Sequence, residues 1–322
     1  MKRILSLVLV AVMILGTVAL TSCSKKEDDV YNVGVIQLIT HDALDAATEG
    51  FIQALKDKLG EDKVKVDVQN AAGSPDTCAT IANSFVTKKV DLIMANATPA
   101  LQAAYNATTT IPILGTSVTE YGVALGIKDF SGTVGSNVSG TSDLANLEKQ
   151  AQMILDLVPT AKTVGMLYCS SEANSDYQVK KVTEYLTKKG ITCKNYAFSD
   201  SNDVGMIAGD AAKECDAIYV PTDNTAASCA ETIYGKTGKT PIIAGEAGIC
   251  KGCGIATLSI SYYDLGYKTG EMAAQILKGE AKIEEMAIAY APQETKKYNA
   301  KICADLGIDV EALKAAGYTA LD

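Results

Sequence analysis

The sequence predicts an α/β protein of two similar, doubly wound parallel-sheet lobes joined by a multi-strand hinge, with a ligand cleft between the lobes. Three observations predict it. The stretch "VGVIQLITHDALDAATEGFIQALKDKLG" from Val33 and the stretch "VGMLYCSSEANSDYQVKKVTEYLTKKG" from Val164 share one grammar: an apolar strand, a short polar loop, and an amphipathic helix ending in Gly. Later strands recur in the same order, "VDLIMA" (90–95) against "CDAIYV" (215–220). Even the proline before the fourth strand recurs, "IPILGT" against "TPIIAG". Helical crossovers between consecutive short apolar strands imply parallel sheets covered on both faces.

The elements follow in order. Residues 33–38 form a short β-branched run, a strand. Residues 42–59 carry Leu44, Ala47, Phe51, Leu55 and Leu59 at helical spacing, with Gly60 as the stop. Val64, Val66 and Val68 alternate as a half-buried strand. Ser74-Pro75-Asp76 opens a helix as N-cap, first-turn proline and first-turn acid. Strands follow over 91–95 and 111–114, with a helix opened by Thr98-Pro99 between them. The second unit reads as strands over 163–168, 191–197, 215–220 and 240–245, alternating with helices over 173–189, 203–214 and 224–234. Between the units lie a strand over 133–138 and a helix bearing Leu144, Leu147, Ala151, Ile154 and Val158. After the second unit, "YYDLGYKTGEMAAQILKG" is a helix whose small Gly266, Gly270 and Ala273 suit close packing on a sheet. The chain is expected to return there to the first lobe and to re-enter the second over 292–298. The lobes are therefore expected at 31–137 with about 261–287, and at 138–260 with about 288–322.

The 322 residues carry a formal charge of −9, one His and no Trp. An acidic chain without a basic stripe argues against nucleic acid as partner. Lys2 and Arg3, the apolar run 4–20 and Leu20-Thr21-Ser22-Cys23 read as a secretion signal whose end resembles a bacterial lipobox. That reading makes 1–22 a signal peptide, Cys23 the lipidated first residue, and 23–30 a polar tether holding the protein on the extracytoplasmic face of the cell membrane. Eight further cysteines sit mostly singly on helices or strands, as small apolar residues do. "CKGC" (250–253) lacks the second ligand pair of a zinc site and reads as a local disulfide or inert thiols.

Open parallel sheets bind ligands beyond the carboxyl ends of their strands. Those ends offer Gln37, Thr40, His41, Thr98, Thr116 and Ser117 in the first unit. In the second they offer Ser170, Ser171, Glu172, Asn174, Thr222, Asp223, Asn224 and Glu246. Several sit at helix N-termini, which favour a carboxylate or phosphate. Asp223 or Glu246 could meet a ligand ammonium, so the set suits a zwitterion. Ser171, Thr98 and Asn224 are equally placed to cap helices. Tyr168, Tyr219, Tyr262 and Tyr263 lie near strand ends or crossovers and could stack on a flat ligand. The sole histidine has no G-x-S-x-G partner, and neither G-x-G-x-x-G nor a P-loop occurs, so no catalysis and no cofactor are expected.

These stretches resemble the ABC-transporter substrate-binding lipoproteins of the tryptophan/tyrosine-binding type. The resemblance spans nearly all of the chain after the signal. It rests on "VGVIQLITHDALDAATEGFIQAL", "DLIMANATPALQAA", "SEANS", "DAIYVPTDNT", "AGEAG" and "YYDLGYKTGEMAAQILKG". It implies a type I periplasmic-binding-protein fold, closure of two lobes on an aromatic amino acid, and delivery to an ABC permease. On the same grounds Gln37, Thr98, Ser171, Asn174, Thr222, Asp223, Asn224 and Glu246 face the cleft. A monomer is expected. The family's "ATYGIDYY" stands here as "ATLSISYY", with Leu258, Ser259 and Ser261 at the changed places, and its Asp-Pro is replaced near Thr119-Glu120. These departures keep open another amino acid, a purine or nucleoside, or a sugar as ligand, and a sensing receptor as an alternative role.

Overall fold

The structure, a computed structural model, describes residues 30–291 and 293–321. The signal segment, Cys23 and nearly all of the tether lie outside the described residues. The first lobe holds β1 (Tyr31–Gln37), α1 (Asp42–Leu59), β2 (Val64–Asn70), α2 (Pro75–Lys88), β3 (Leu92–Asn96), α3 (Thr98–Ala107), β4 (Ile113–Val118), α4 (Tyr121–Leu125) and β5 (Val138–Ser142). The second opens with α5 (Leu147–Leu157), β6 (Thr163–Cys169), α6 (Ala173–Lys188), β7 (Thr192–Phe198) and α7 (Val204–Glu214). It continues through β8 (Ala217–Val220), α8 (Asn224–Ser228), α9 (Ala230–Thr237), β9 (Ile242–Ala244), α10 (Ala247–Gly252) and β10 (Ala256–Ser259). Then come α11 (Tyr262–Leu277), β11 (Ala289–Tyr290), β12 (Thr295–Tyr298), α12 (Ala300–Leu306), α13 (Val310–Ala315) and β13 (Thr319–Ala320).

Two sheets form, in the orders β11-β5-β4-β3-β1-β2 and β13-β12-β10-β9-β8-β6-β7. The first is parallel throughout. The second is parallel except that β12 runs antiparallel to β10. Each sheet is covered on both faces. In the first lobe Ile36, Ile93 and Phe85 pack on one side, and Val33, Val35, Phe51 and Met272 on the other. In the second, Met166, Val182 and Tyr219 oppose Leu167, Ile218 and Ile233. Both faces of every central strand exclude water, which is why these strands read as unbroken apolar runs.

The lobe boundaries move from those the sequence suggested. β5 pairs with β4 and β11 pairs with β5, so residues 138–142 and 289–290 belong to the first sheet, not the second. The strand expected over 133–138 does not form. Gly135 takes φ 74°, and only Thr133 makes an isolated bridge, to Ala287. The true strand, "VSGTS", carries almost no aliphatic signal. Its hydroxyls bond inside the lobe, Ser139 to the Met286 carbonyl at 3.0 Å and Thr141 to Thr269 at 2.8 Å. The chain thus crosses between lobes after β5, after β10 and after β11.

α11 returns to the first lobe and lies against α1. A Cβ on Gly266 would strike the Ala47 carbonyl, and one on Gly270 would meet Ala54. These glycines serve a helix–helix approach rather than the expected helix–sheet contact. Ala273, fully buried beside Val33 and Leu114, does face the sheet. All eight cysteines among the described residues are free, so the local disulfide considered for Cys250 and Cys253 is not formed. Their thiols instead donate to the Gly254 and Ile249 carbonyls of the same turn. Among the described residues, no helix is long and apolar enough to cross a membrane.

Candidate ligand cleft

The carboxyl ends of both sheets face one cleft. At its edge the lobes touch: His41 Nε2 lies 3.3 Å from Asn224 Oδ1, and Lys251 Nζ lies 3.0 Å from Asp42. The loops that follow the strands supply the cleft's polar groups, as an α/β sheet requires.

Many of the sequence candidates are already engaged. Gln37 donates to the Ile39 carbonyl and, at 2.5 Å, to Asp45, and accepts from Thr48, so it ties β1 to α1. Thr116 meets the Thr141 hydroxyl at 3.2 Å inside the first lobe. Thr222 points its hydroxyl at the Gly245 carbonyl, while Gln178 brackets its backbone. Ser171 is exposed beside the Cys169 thiol.

The expected ammonium partners are helix caps. Asp223 accepts from the backbone N–H of Ala226 and of Cys169, starting α8. Burial, and then the Glu172 charge beside it, push its carboxyl up. Glu246 accepts from the backbone N–H of Gly248 and Ile249, starting α10, and burial pushes its carboxyl up too. Glu172 opens α6 yet caps the neighbouring helix. Its oxygens accept from the backbone and side chains of Asn224 and Thr225. The tyrosines also sort. Tyr219 is fully buried with its hydroxyl on Gln150, and Tyr263 stacks on Tyr267. Tyr168 is buried in the second-lobe core. Tyr262 donates to Asp143 at 3.0 Å.

Among the described residues nine buried side-chain polar atoms have no partner, and five of them belong to residues at strand ends, the loops that follow or helix starts: Thr98 Oγ1, Ser117 Oγ, Asn174 Oδ1, His41 Nδ1 and Asp143 Oδ1. A buried polar atom left unpaired costs roughly 1–3 kcal/mol, so each of these is a candidate for a ligand contact. Thr98 opens α3, whose N-cap position is Ala97 and has no side-chain cap. Its first-turn N–H groups are therefore open to an anion. Ala97 at φ 95° and Ser117 at φ 54° end adjacent strands in conformations that side chains rarely adopt. Asn174 donates to the Thr222 carbonyl at 2.9 Å, which leaves its own carbonyl oxygen as an acceptor.

Asp143 is the residue sequence reasoning missed. It follows β5 at the first crossover, and the misplaced strand hid it. It is 4% exposed. One oxygen holds the Tyr262 hydroxyl and the other has no partner. Burial raises its carboxyl to about 6. The Thr119 side chain beside it and the Tyr262 hydrogen bond oppose the rise, and the nearby Glu246 charge adds to it. The signal that could have found it is an acid closing a strand of small polar residues.

Two lobes, three crossovers and an unsatisfied polar cleft define a two-lobed solute-binding protein. A family model of ABC transporter substrate-binding proteins matches residues 32–317, and the chain belongs to that family. It is 39% identical over 297 residues, 87% of this chain and 85% of the relative, to a tyrosine-binding protein of Clostridioides difficile (strain R20291). Among solved structures it resembles an ABC domain from Streptococcus pneumonia in complex with L-Trp. That match has a TM-score of 0.85 at 32% identity and covers 91% of this chain and 100% of the other. It also resembles the ligand-free, open structure of a substrate-binding protein with adhesive properties from Clostridium difficile. There the TM-score is 0.68 at 36% identity, again covering 91% of this chain and 100% of the other.

Proposed function

We propose that this protein captures an aromatic L-amino acid, with tyrosine foremost, by closing its lobes on it, and hands it to an ABC permease without chemistry. The observation that carries the reading is the set of unpartnered buried atoms in the cleft. Asp143 offers a lone carboxylate oxygen to an ammonium. The uncapped start of α3, with Thr98 and Ser117, offers donors to a carboxylate. A sugar would leave the carboxylate site of α3 without an anion, and a nucleoside would do the same. The lobe arrangement supports closure as the mechanism. The chain superposes better on the tryptophan-bound relative than on the open, ligand-free one, although the latter is nearer in sequence. A ligand that contacts both lobes stabilises the closed state by its differential affinity. The lipid on Cys23, the extracytoplasmic face and the monomeric state belong to this same proposal.

The test is a binding series on protein lacking residues 1–22, unfolded and refolded to remove carried-over ligand. L-Tyrosine at about 100 times its Kd should add about 2.7 kcal/mol of stability. Tyramine, without the carboxylate, and 3-(4-hydroxyphenyl)propionate, without the ammonium, should add almost none. The chain has 15 Tyr and no Trp, so L-tryptophan excited beyond the tyrosine absorption band reports its own binding without protein emission. Stabilisation by a sugar or nucleoside and by no aromatic amino acid would overturn the reading.

A further inference from the structure

His41 stands in the loop between β1 and α1 and reaches the opposite lobe at Asn224. The orientation of that asparagine is set from behind. Glu172 accepts from Asn224 Nδ2 at 2.6 Å and from the Asn224 backbone N–H at 3.0 Å. Its other oxygen accepts from the Thr225 N–H and hydroxyl, both at 2.8 Å. The Asn224 amide nitrogen must therefore face Glu172, and its carbonyl oxygen must face away, toward His41. An amide oxygen only accepts, so the imidazole proton at this contact sits on Nε2. In the neutral ring that makes Nδ1 a lone-pair acceptor. Nδ1 is buried and has no partner among the described residues. The neighbouring Glu246 already receives two backbone N–H groups.

We infer that His41 is a positioning residue that latches the lobes over the ligand. Through the tautomer that Glu172 and Asn224 impose, it also presents Nδ1 to an N–H or O–H of that ligand. The inference rests on the amino-acid reading above and adds to it. It names a contact between lobes that exists only when both face each other, and it requires a ligand donor on the His41 side of the cleft. The latch acts after encounter, so it governs release rather than capture.

The experiment follows radiolabelled L-tyrosine on and off the refolded protein. If the wild-type protein binds no L-tyrosine, the amino-acid reading has failed. If it binds, Asn224→Ala, which removes the latch contact, should speed release about tenfold, and His41→Phe, which removes that contact and the ligand's acceptor, at least as much, with uptake within about twofold. The double variant should release no faster than the faster single variant, because the two residues form one contact. His41→Gln, whose amide donates and whose carbonyl accepts, should restore most of the loss. The ligand-free unfolding temperature of the His41 variants should match wild type. Additive effects in the double variant, wild-type release from His41→Phe, or a loss that falls on uptake would each overturn the latch. Should Asn224→Ala fail to fold, the contrast of His41→Phe with His41→Gln decides alone.

Discussion

In the proposed site Asp143 joins a cost in folding to a gain in binding. Its carboxyl rises from 3.8 to about 6 because burial disfavours the charged form. An acid whose folded value is raised loses stability as pH rises through that value, and the penalty vanishes below the unfolded value. The window therefore lies between about pH 4 and pH 6. Two units correspond to about 3 kcal/mol at most. Asp143→Asn keeps an acceptor for the Tyr262 hydroxyl and removes the charge. The ligand-free variant should be more stable than wild type at pH 8, with the gain shrinking toward zero by pH 4, as read by urea denaturation. The same change should weaken L-tyrosine binding by roughly 2–5 kcal/mol, because it leaves the ammonium unpaired. Undiminished affinity would show that the ammonium lies elsewhere. In the wild-type protein affinity should fall below about pH 6, since the ligand must then displace a proton from Asp143.

At the scale of elements, what the sequence revealed depended on where apolar pattern and caps coincide. β1, β3, β6 and β8 are runs of aliphatic residues buried on both faces, and their places were legible. β5 is small and polar because its side chains bond within the lobe, and β11 and β13 are two residues each. Period and propensity have little to read there, and the lobe boundaries slipped with them. Site candidates were legible as a region and not as roles. A carboxylate at a helix start looks the same whether it caps that helix, as Glu246 does, or its neighbour, as Glu172 does. α3 is the exception that matters. Ala97, at φ 95° and ψ 158°, ends β3 in a region that is nearly glycine's alone, and it supplies no cap. Ala97→Gly should relieve that strain and stabilise the ligand-free protein by about 1 kcal/mol, measured by denaturant midpoint. An unchanged or lower midpoint would show that the turn before α3 is not strained.

In the proposed mechanism the whole molecule works by the angle between its lobes, and contacts across the cleft mouth would set how that angle responds. Lys251 and Asp42 meet there at 3.0 Å, with side chains 59% and 67% exposed. An exposed pair contributes roughly 0.2–1 kcal/mol, and salt screens it within about 8–10 Å. On the proposed closure mechanism the pair forms as the lobes come together, and its contribution then belongs to ligand affinity. Lys251→Glu should therefore weaken L-tyrosine binding by roughly two- to fivefold at low ionic strength. Most of that loss should disappear in about 0.5 M salt, where the screening length is only a few ångströms. Each residue also sits favourably on its own helix, Asp42 in the first turn of α1 and Lys251 in the last turn of α10. Ligand-free stability will consequently fall by a few tenths of a kcal/mol in either variant. The part that belongs to closure is the affinity regained by the swapped pair, Asp42→Lys with Lys251→Glu. Full recovery at low salt, measured by calorimetry, places the pair in the closing motion. No recovery would mean that the lobes close without bringing these two charges together.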